Sequence, residues 1–247
     1  MSSWRRKLLA AWRLTAVVLH GLHGLLVVWV TFAQLAPAQR HARIQWWSAK
    51  TLRLLGLTLR VHGQAHPGPT LMVANHVSWL DIMALHAVCP QARFVSKAQV
   101  RHWPLIGRLV DAGGTLYIER ERARDAMRVV HLMAEALSQG QTVAVFPEGT
   151  TADGHRLLPF HANLLQSAVA TATPIQPVAL RFSDAHQPVS EAAQYLGETT
   201  LAQSLWRIAM AQDMVVTLHF LAAHATAHAE RRALAQRLRQ EIEDALS

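Results

Sequence analysis

Two side chains able to run proton chemistry stand close together in the stretch Asn75-His76-Val77-Ser78-Trp79-Leu80-Asp81. Imidazole ordinarily takes up and returns a proton near neutral pH. A carboxylate bonded to one ring nitrogen fixes the tautomer, leaves the other nitrogen as a proton acceptor and stabilises the imidazolium once it forms. His76 with Asp81 therefore reads as a general base with its orienter, working without a protein nucleophile. The plainer reading of the same letters is a histidine completing a turn and an aspartate capping a helix, because H-x-x-x-x-D is short enough to arise by chance.

Such a pair works only if the backbone presents it. The apolar run from Thr70 to Ala74 has strand composition, and Ser78 followed by Asp81 fits an N-cap and N3 pairing that opens a helix over 79–88. His76 then lies in the turn between two rigid elements and faces open space. Two more turns carry candidates. Gly114-Thr115-Leu116-Tyr117-Ile118-Glu119-Arg120 puts an arginine just past a strand, where its planar fork can clamp a phosphate or simply join a charged surface loop with Glu121 and Arg122. Phe146-Pro147-Glu148-Gly149-Thr150 follows the apolar run 142–146. Proline ends the ladder there, Gly149 lets backbone approach a ligand, and Glu148 needs a partner, for which Arg120 is the expected one.

Over the rest of the chain, β-rich runs alternate with helical patterns. Strands are expected at 57–61, 70–74, 93–96, 115–118, 142–146, 174–180 and 214–220. Helices are expected at 79–88, 122–138, 162–172, 199–211 and 227–246, with a broken helical stretch between 97 and 113. This alternation predicts an α/β domain, a mixed central sheet flanked by helices. It occupies residues 57–247, and residues 1–56 form a membrane anchor.

The anchor, a helix pair or a single transmembrane helix, is expected because residues 14–39 contain no Asp, Glu, Lys or Arg and 14–36 are mostly apolar and long enough to span a bilayer. A cleaved signal peptide is the rival reading, but the apolar region is long for one and Pro37 fits a cleavage site poorly. Basic residues flank the segment on both sides, Arg5, Arg6, Lys7 and Arg13 before it and Arg40, Arg43, Lys50 and Arg53 after it, so both flanks claim the cytoplasmic side. A helix pair over 14–56, bent at Pro37 and embedded in one leaflet, satisfies both. Trp46, Trp47, Leu54 and Leu55 would then meet the acyl boundary.

The chain has 247 residues, a formal net charge of +8, one cysteine and 15 histidines. The charge favours anionic partners, yet the basic residues are spread out and no nucleic-acid signature accompanies them. A single cysteine excludes an internal disulfide, and Cys89 reads as a small buried hydrophobe. His224 and His228 have one-face helical spacing without a third ligand, so no metal site is expected.

Taken together and in order, these pieces resemble the four motifs of the glycerolipid acyltransferases of the lysophosphatidic acid acyltransferase type. NHVSWLD resembles the first, GTLYIER the second, FPEGT the third and PIQPVA, residues 174–179, the fourth. The resemblance covers roughly residues 60–220. It implies that His76 is the general base and Asp81 its orienter, and that Asn75, Ser78, Arg120, Phe146, Pro147, Glu148, Gly149 and Thr150 form the acceptor-binding set. It also implies an acyl thioester donor, acyl-CoA or acyl carrier protein, with no metal and no bound cofactor, at the cytoplasmic face of the inner membrane. The expected acceptor is 1-acyl-sn-glycerol-3-phosphate. Thr151 and His161 stand where members acting on that lipid often carry cations, which keeps lyso-ornithine lipid as the second acceptor. A hydrolase and a non-catalytic lipid-binding protein of the same fold are the competing readings. No G-x-S-x-G elbow supports the first, and the intact His76 and Asp81 oppose the second.

Overall fold

A computed structural model describes residues 3–118 and 123–247, the side chains of 123–126 excepted. The chain begins with two helices, α1 (Ser3–Val30) and α2 (Pro37–Leu55), that run antiparallel. His20 stacks on Trp47, and Gly24 lies so close to the Trp47 ring that a Cβ there would sit 2.6 Å from the indole nitrogen. Pro37 is the first residue of α2, where its missing N–H costs nothing. α2 ends at Gly56, whose φ of 86° is left-handed. The chain then turns directly into the sheet.

The sheet has seven strands: β1 (Leu57–His62), β2 (Leu71–Ala74), β3 (Arg93–Lys97), β4 (Leu116–Ile118), β5 (Val143–Val145), β6 (Ile175–Ser183) and β7 (Met214–Phe220). Their spatial order is β1-β7-β6-β2-β5-β3-β4, and every pair is parallel except β6 with β7. The sheet is therefore mixed, as expected. β1 and β2 follow each other in sequence but are separated in space, with β1 at an edge and β2 in the middle. β2 and β5 are buried at every position, as strands covered on both faces must be.

The remaining helices are α3 (Leu80–His86), α4 (Ile106–Ala112), α5 (Ala123–Ser138), α6 (Gln166–Thr171), α7 (Leu201–Met210) and α8 (Arg231–Leu246). One apolar core, with Leu52, Leu55, Leu80, Leu85, Phe94 and Ile208, lies under α2, α3 and α7. A second, with Met133, Leu137, Leu165, Leu234 and Leu238, lies under α5, α6 and α8. The two cores cover opposite faces of the sheet.

Several boundaries move for local reasons. α1 starts at Ser3 rather than at residue 14, carrying its basic flank as helix. The terminal helix begins at Arg231 instead of 227, because the Glu230 carboxylate accepts the N–H groups of Arg232 and Ala233. α7 begins just after Thr200, which forms a reciprocal capping box with Gln203. Leu55 is fully buried in the first core and does not meet an acyl boundary.

Candidate active site

Strand register explains why the two principal turns meet. β2 and β5 are parallel neighbours with Val73 opposite Val145. Three residues beyond each lie His76 and Glu148, so the two turns emerge side by side at the carboxyl ends of central strands, where open α/β sheets place their ligands. The His76 N–H donates to Glu148 Oε1 at 2.7 Å, and Leu158 N–H donates to Glu148 Oε2 at 2.9 Å. Among the described residues, these two amides meet the polar requirement of this buried carboxylate. Burial pushes the Glu148 pKa up, and the bonds from Leu158 and His76 partly offset that. Arg120, the partner expected from sequence, lies outside the described residues.

Asp81 is wholly buried and turns back over the start of α3. Its Oδ2 accepts from His76 Nδ1 at 2.6 Å, from Val77 N–H at 2.7 Å and from Ser78 N–H at 3.0 Å. The carboxylate thus ties the turn ahead of α3 together and orients the imidazole at once. With Nδ1–H given to Asp81, the lone pair remains on Nε2, the atom a substrate hydroxyl would meet. The Phe146 ring stacks against His76 with centroids 4.1 Å apart and planes 10° apart, so the imidazole is held on one face and at one nitrogen. The His76 side chain keeps 20% exposure, enough to reach an incoming group.

Ser78 does not act as the expected N-cap. The helix begins at Leu80, its cap residue is Trp79, and the buried Ser78 Oγ has no hydrogen-bond partner among the described residues. No side chain bonds at that cap among the described residues; Asp81 instead accepts the Ser78 N–H, one residue ahead of it. Asn75, expected among the acceptor contacts, is buried and spends its side chain on β6: Nδ2 donates to Leu180 O and Oδ1 accepts from Leu180 N–H, both at 2.8 Å. Its evident work is to fasten the end of β2 to β6.

Phe146, Pro147, Glu148, Gly149 and Thr150 surround this centre in sequence order, with Pro147 and Glu148 buried, Gly149 intermediate and Thr150 exposed. Gly149 has φ 73°, a conformation that favours glycine. The segment beyond it clasps the histidine turn, since Ala152 N–H donates to His76 O at 2.7 Å and His161 N–H to Pro147 O at 2.8 Å. Thr151 Oγ donates to Tyr195 O, while Tyr195 N–H donates to Val77 O at 3.1 Å. Leu158 carried no signal in the sequence, because it acts through a backbone N–H that any residue but proline possesses.

His224 lies on a β-bridge, not a helix, and pairs with Glu241 at 2.7 Å. Its presumed helical spacing with His228 therefore does not exist. Cys89 is buried, and burial pushes its thiol pKa up to about 11, so it is a hydrophobe and no thiolate.

The family model described as Acyltransferase matches residues 58–181. The lyso-ornithine lipid O-acyltransferase of Pseudomonas aeruginosa is 35% identical over 246 residues, covering 98% of this chain and 93% of that one. The 1-acyl-sn-glycerol-3-phosphate acyltransferase of Neisseria meningitidis is 34% identical over 192 residues, 78% of this chain and 73% of that one. The crystal structure of the 1-acyl-sn-glycerophosphate acyltransferase from Thermotoga maritima superposes with a TM-score of 0.75 at 18% identity, covering 100% of this chain and 96% of that one, which shows a common fold. Matched over 98% of its length at 35% identity to one such enzyme, and over residues 58–181 by the family model, this chain belongs to the glycerolipid acyltransferase family of the lysophosphatidic acid acyltransferase type and is an acyltransferase.

Proposed function

We propose that this enzyme moves a fatty acyl chain from an acyl thioester, acyl-CoA or acyl carrier protein, to the free hydroxyl of a lysolipid, with His76 as general base. The observation that carries this reading is the 2.6 Å bond from His76 Nδ1 to buried Asp81, which leaves Nε2 as the free proton acceptor. As the hydroxyl oxygen attacks the thioester carbonyl, its proton passes to Nε2. The tetrahedral intermediate then expels the thiolate, which takes that proton back. The ester forms as the thioester breaks, and the imidazole ends neutral. No residue is acylated and no cofactor takes part. The amides of His76, Val77 and Ser78 are committed to Glu148 and Asp81, so the donors for the oxyanion lie elsewhere.

Two observations move lyso-ornithine lipid ahead of 1-acyl-sn-glycerol-3-phosphate as the acceptor. The Thr151 hydroxyl is engaged with the Tyr195 carbonyl and residue 161 is an exposed histidine in place of a lysine, so neither position brings a lysine or arginine to a phosphate. In addition, the full-length match is to an enzyme named for lyso-ornithine lipid. Purified full-length protein should be incubated with labelled acyl-CoA or acyl carrier protein and each acceptor in turn. Faster labelling of lyso-ornithine lipid supports this assignment, faster labelling of 1-acylglycerol-3-phosphate reverses it, and thioester hydrolysis without transfer overturns the mechanism.

The helices α1 and α2 are proposed to form a hairpin lying in the cytoplasmic leaflet of the inner membrane. α1 is long and apolar enough to cross a bilayer, and only 11% of its apolar stretch is buried by protein. Both ends of the hairpin, however, are tied to the catalytic domain. Arg13 Nη1 donates to Ala209 O and Ala211 O at the end of α7, and α2 leads straight into β1. A crossing α1 would require α2 to cross back, and α2 carries Arg40, Arg43, Lys50 and Arg53.

A further inference from the structure

The turn between β3 and α4 presents apolar side chains to water in a way that packing does not explain. Trp103 is 42% exposed and Leu105 is 61% exposed, with Pro104 exposed between them. Leu105 has φ 65° and ψ −49°, and Ile106 N–H donates to Pro104 O at 2.7 Å, which closes a tight γ-turn in its rare, strained form. A branched side chain is therefore held outward on backbone it would ordinarily avoid. The turn borders a cavity of about 400 Å³ whose lining includes Arg101, His102, Arg108 and Asp111.

Cations outnumber carboxylates around this apolar tip, Asp111 being the one acidic residue of the cavity lining. No Asp or Glu occurs from residue 82 to residue 110, while Arg93, Lys97, Arg101 and Arg108 do. Arg93 is occupied by Gly114 O and Gln141. Lys97, Arg101 and Arg108 are exposed. Arg101 lies 3.7 Å from Asp111, and at 62% side-chain exposure its charge still faces solvent. An aromatic and aliphatic tip ringed by cations is the composition of elements that sit at a lipid interface, with rings at headgroup level and cations on lipid phosphates. α4, which begins immediately after the tip, packs against α1, the helix with the bare apolar surface.

We propose that the turn 103–105 is a second membrane contact, separate from the helical hairpin and belonging to the catalytic domain. Trp103 and Leu105 enter the boundary between headgroups and acyl chains of a bilayer containing anionic lipid, and Lys97, Arg101 and Arg108 pair with its phosphates. A hairpin alone leaves the domain free to rock about one attachment. A second point fixes the tilt at which the His76 turn meets the lipid surface. This inference rests on the reading of α1 and α2 as a membrane hairpin, so its test includes a reporter for each element.

Full-length Leu105→Cys and, separately, Trp29→Cys are labelled with an environment-sensitive fluorophore, buried Cys89 being first replaced by alanine, and reconstituted into phosphatidylcholine vesicles with or without an equal share of phosphatidylglycerol. The expected result at position 105 is a blue-shifted emission, quenching by doxyl-labelled lipid and protection from aqueous iodide, all stronger with phosphatidylglycerol. Removing Arg101 or Arg108 as glutamine should shift the inserted-to-withdrawn ratio by about fivefold each in those vesicles. Retained acyl transfer in detergent shows that the labelled variants fold. Iodide access at 105 with lipid quenching at 29 overturns this proposal and leaves the hairpin standing, whereas iodide access at both positions overturns both. Protection at 105 in vesicles without quenching by doxyl-labelled lipid indicates a protein contact and also overturns it.

Discussion

At the scale of single residues, the chemistry rests on how Asp81 divides its bonds. One oxygen holds the imidazole and two amides of the same turn, so the residue affects both rate and structure. His76→Ala should lower kcat by about 10²–10⁴-fold without changing the thermal transition, since general-base catalysis of this kind contributes that much. A variant with near-normal turnover would end the general-base reading. Asp81→Asn is milder, because an amide oxygen can keep all three donors while the charge that stabilises imidazolium disappears. A fall in kcat of roughly tenfold to a hundredfold with unchanged acceptor KM is expected from the loss of one charge-assisted bond. Glu148→Gln should act differently. Its amide nitrogen must face either the His76 or the Leu158 N–H, so the folded state should lose about 1–3 kcal/mol, read as a lowered melting temperature.

At the scale of elements, α3 couples the site to acid stability. His86 at its end is buried, packs edge-on against Phe94 with centroids 4.8 Å apart, and donates Nε2–H to Ala92 O at 3.0 Å. Burial lowers its pKa to about 4, the bond to Ala92 opposing and the nearby His41 assisting. The unfolded chain therefore binds this proton first as pH falls. The stability present above the ordinary value of 6.5 is lost progressively as pH drops toward 4, up to roughly 3 kcal/mol. His86→Gln, whose amide can still donate to Ala92 but does not titrate, should flatten the fall of melting temperature between those pH values. An unchanged slope would show that another group carries the acid sensitivity.

The same helix shows the limits of local reading. The strand before it and the histidine turn were legible because β2 is an unbroken apolar run and the motif letters are specific together. Of the expected pairing of Ser78 with Asp81 only one half forms, the Ser78 N–H donating to the carboxylate while the Ser78 hydroxyl has no partner among the described residues, and the letters Ser-x-x-Asp do not say which half will form. The bonds that occupy the Asn75 side chain were hidden for a related reason: their partner, Leu180, lies 105 residues away on β6, and no local pattern announces a bond to a backbone that distant.

At the scale of the whole molecule, the hairpin predicts sidedness. Because its two ends return to one domain, a cysteine placed at residue 3 and one at residue 150 should label from the same side of sealed inverted and right-side-out vesicles. Opposite labelling would mean that α1 crosses. The sequence by itself determined the alternation of strands and helices, the apolar N-terminal segment and the chemical letters of the site, all of which depend on neighbours a few positions apart. Tertiary structure alone decided that β2 and β5 lie side by side in register, that Glu148 is satisfied by amides of His76 and Leu158, and that Phe146 stacks on the imidazole. The contacts of β2 and the His76 turn with β5 and the Glu148 turn join segments about seventy residues apart, and sequence periodicity carries no information about strand order or register across a sheet.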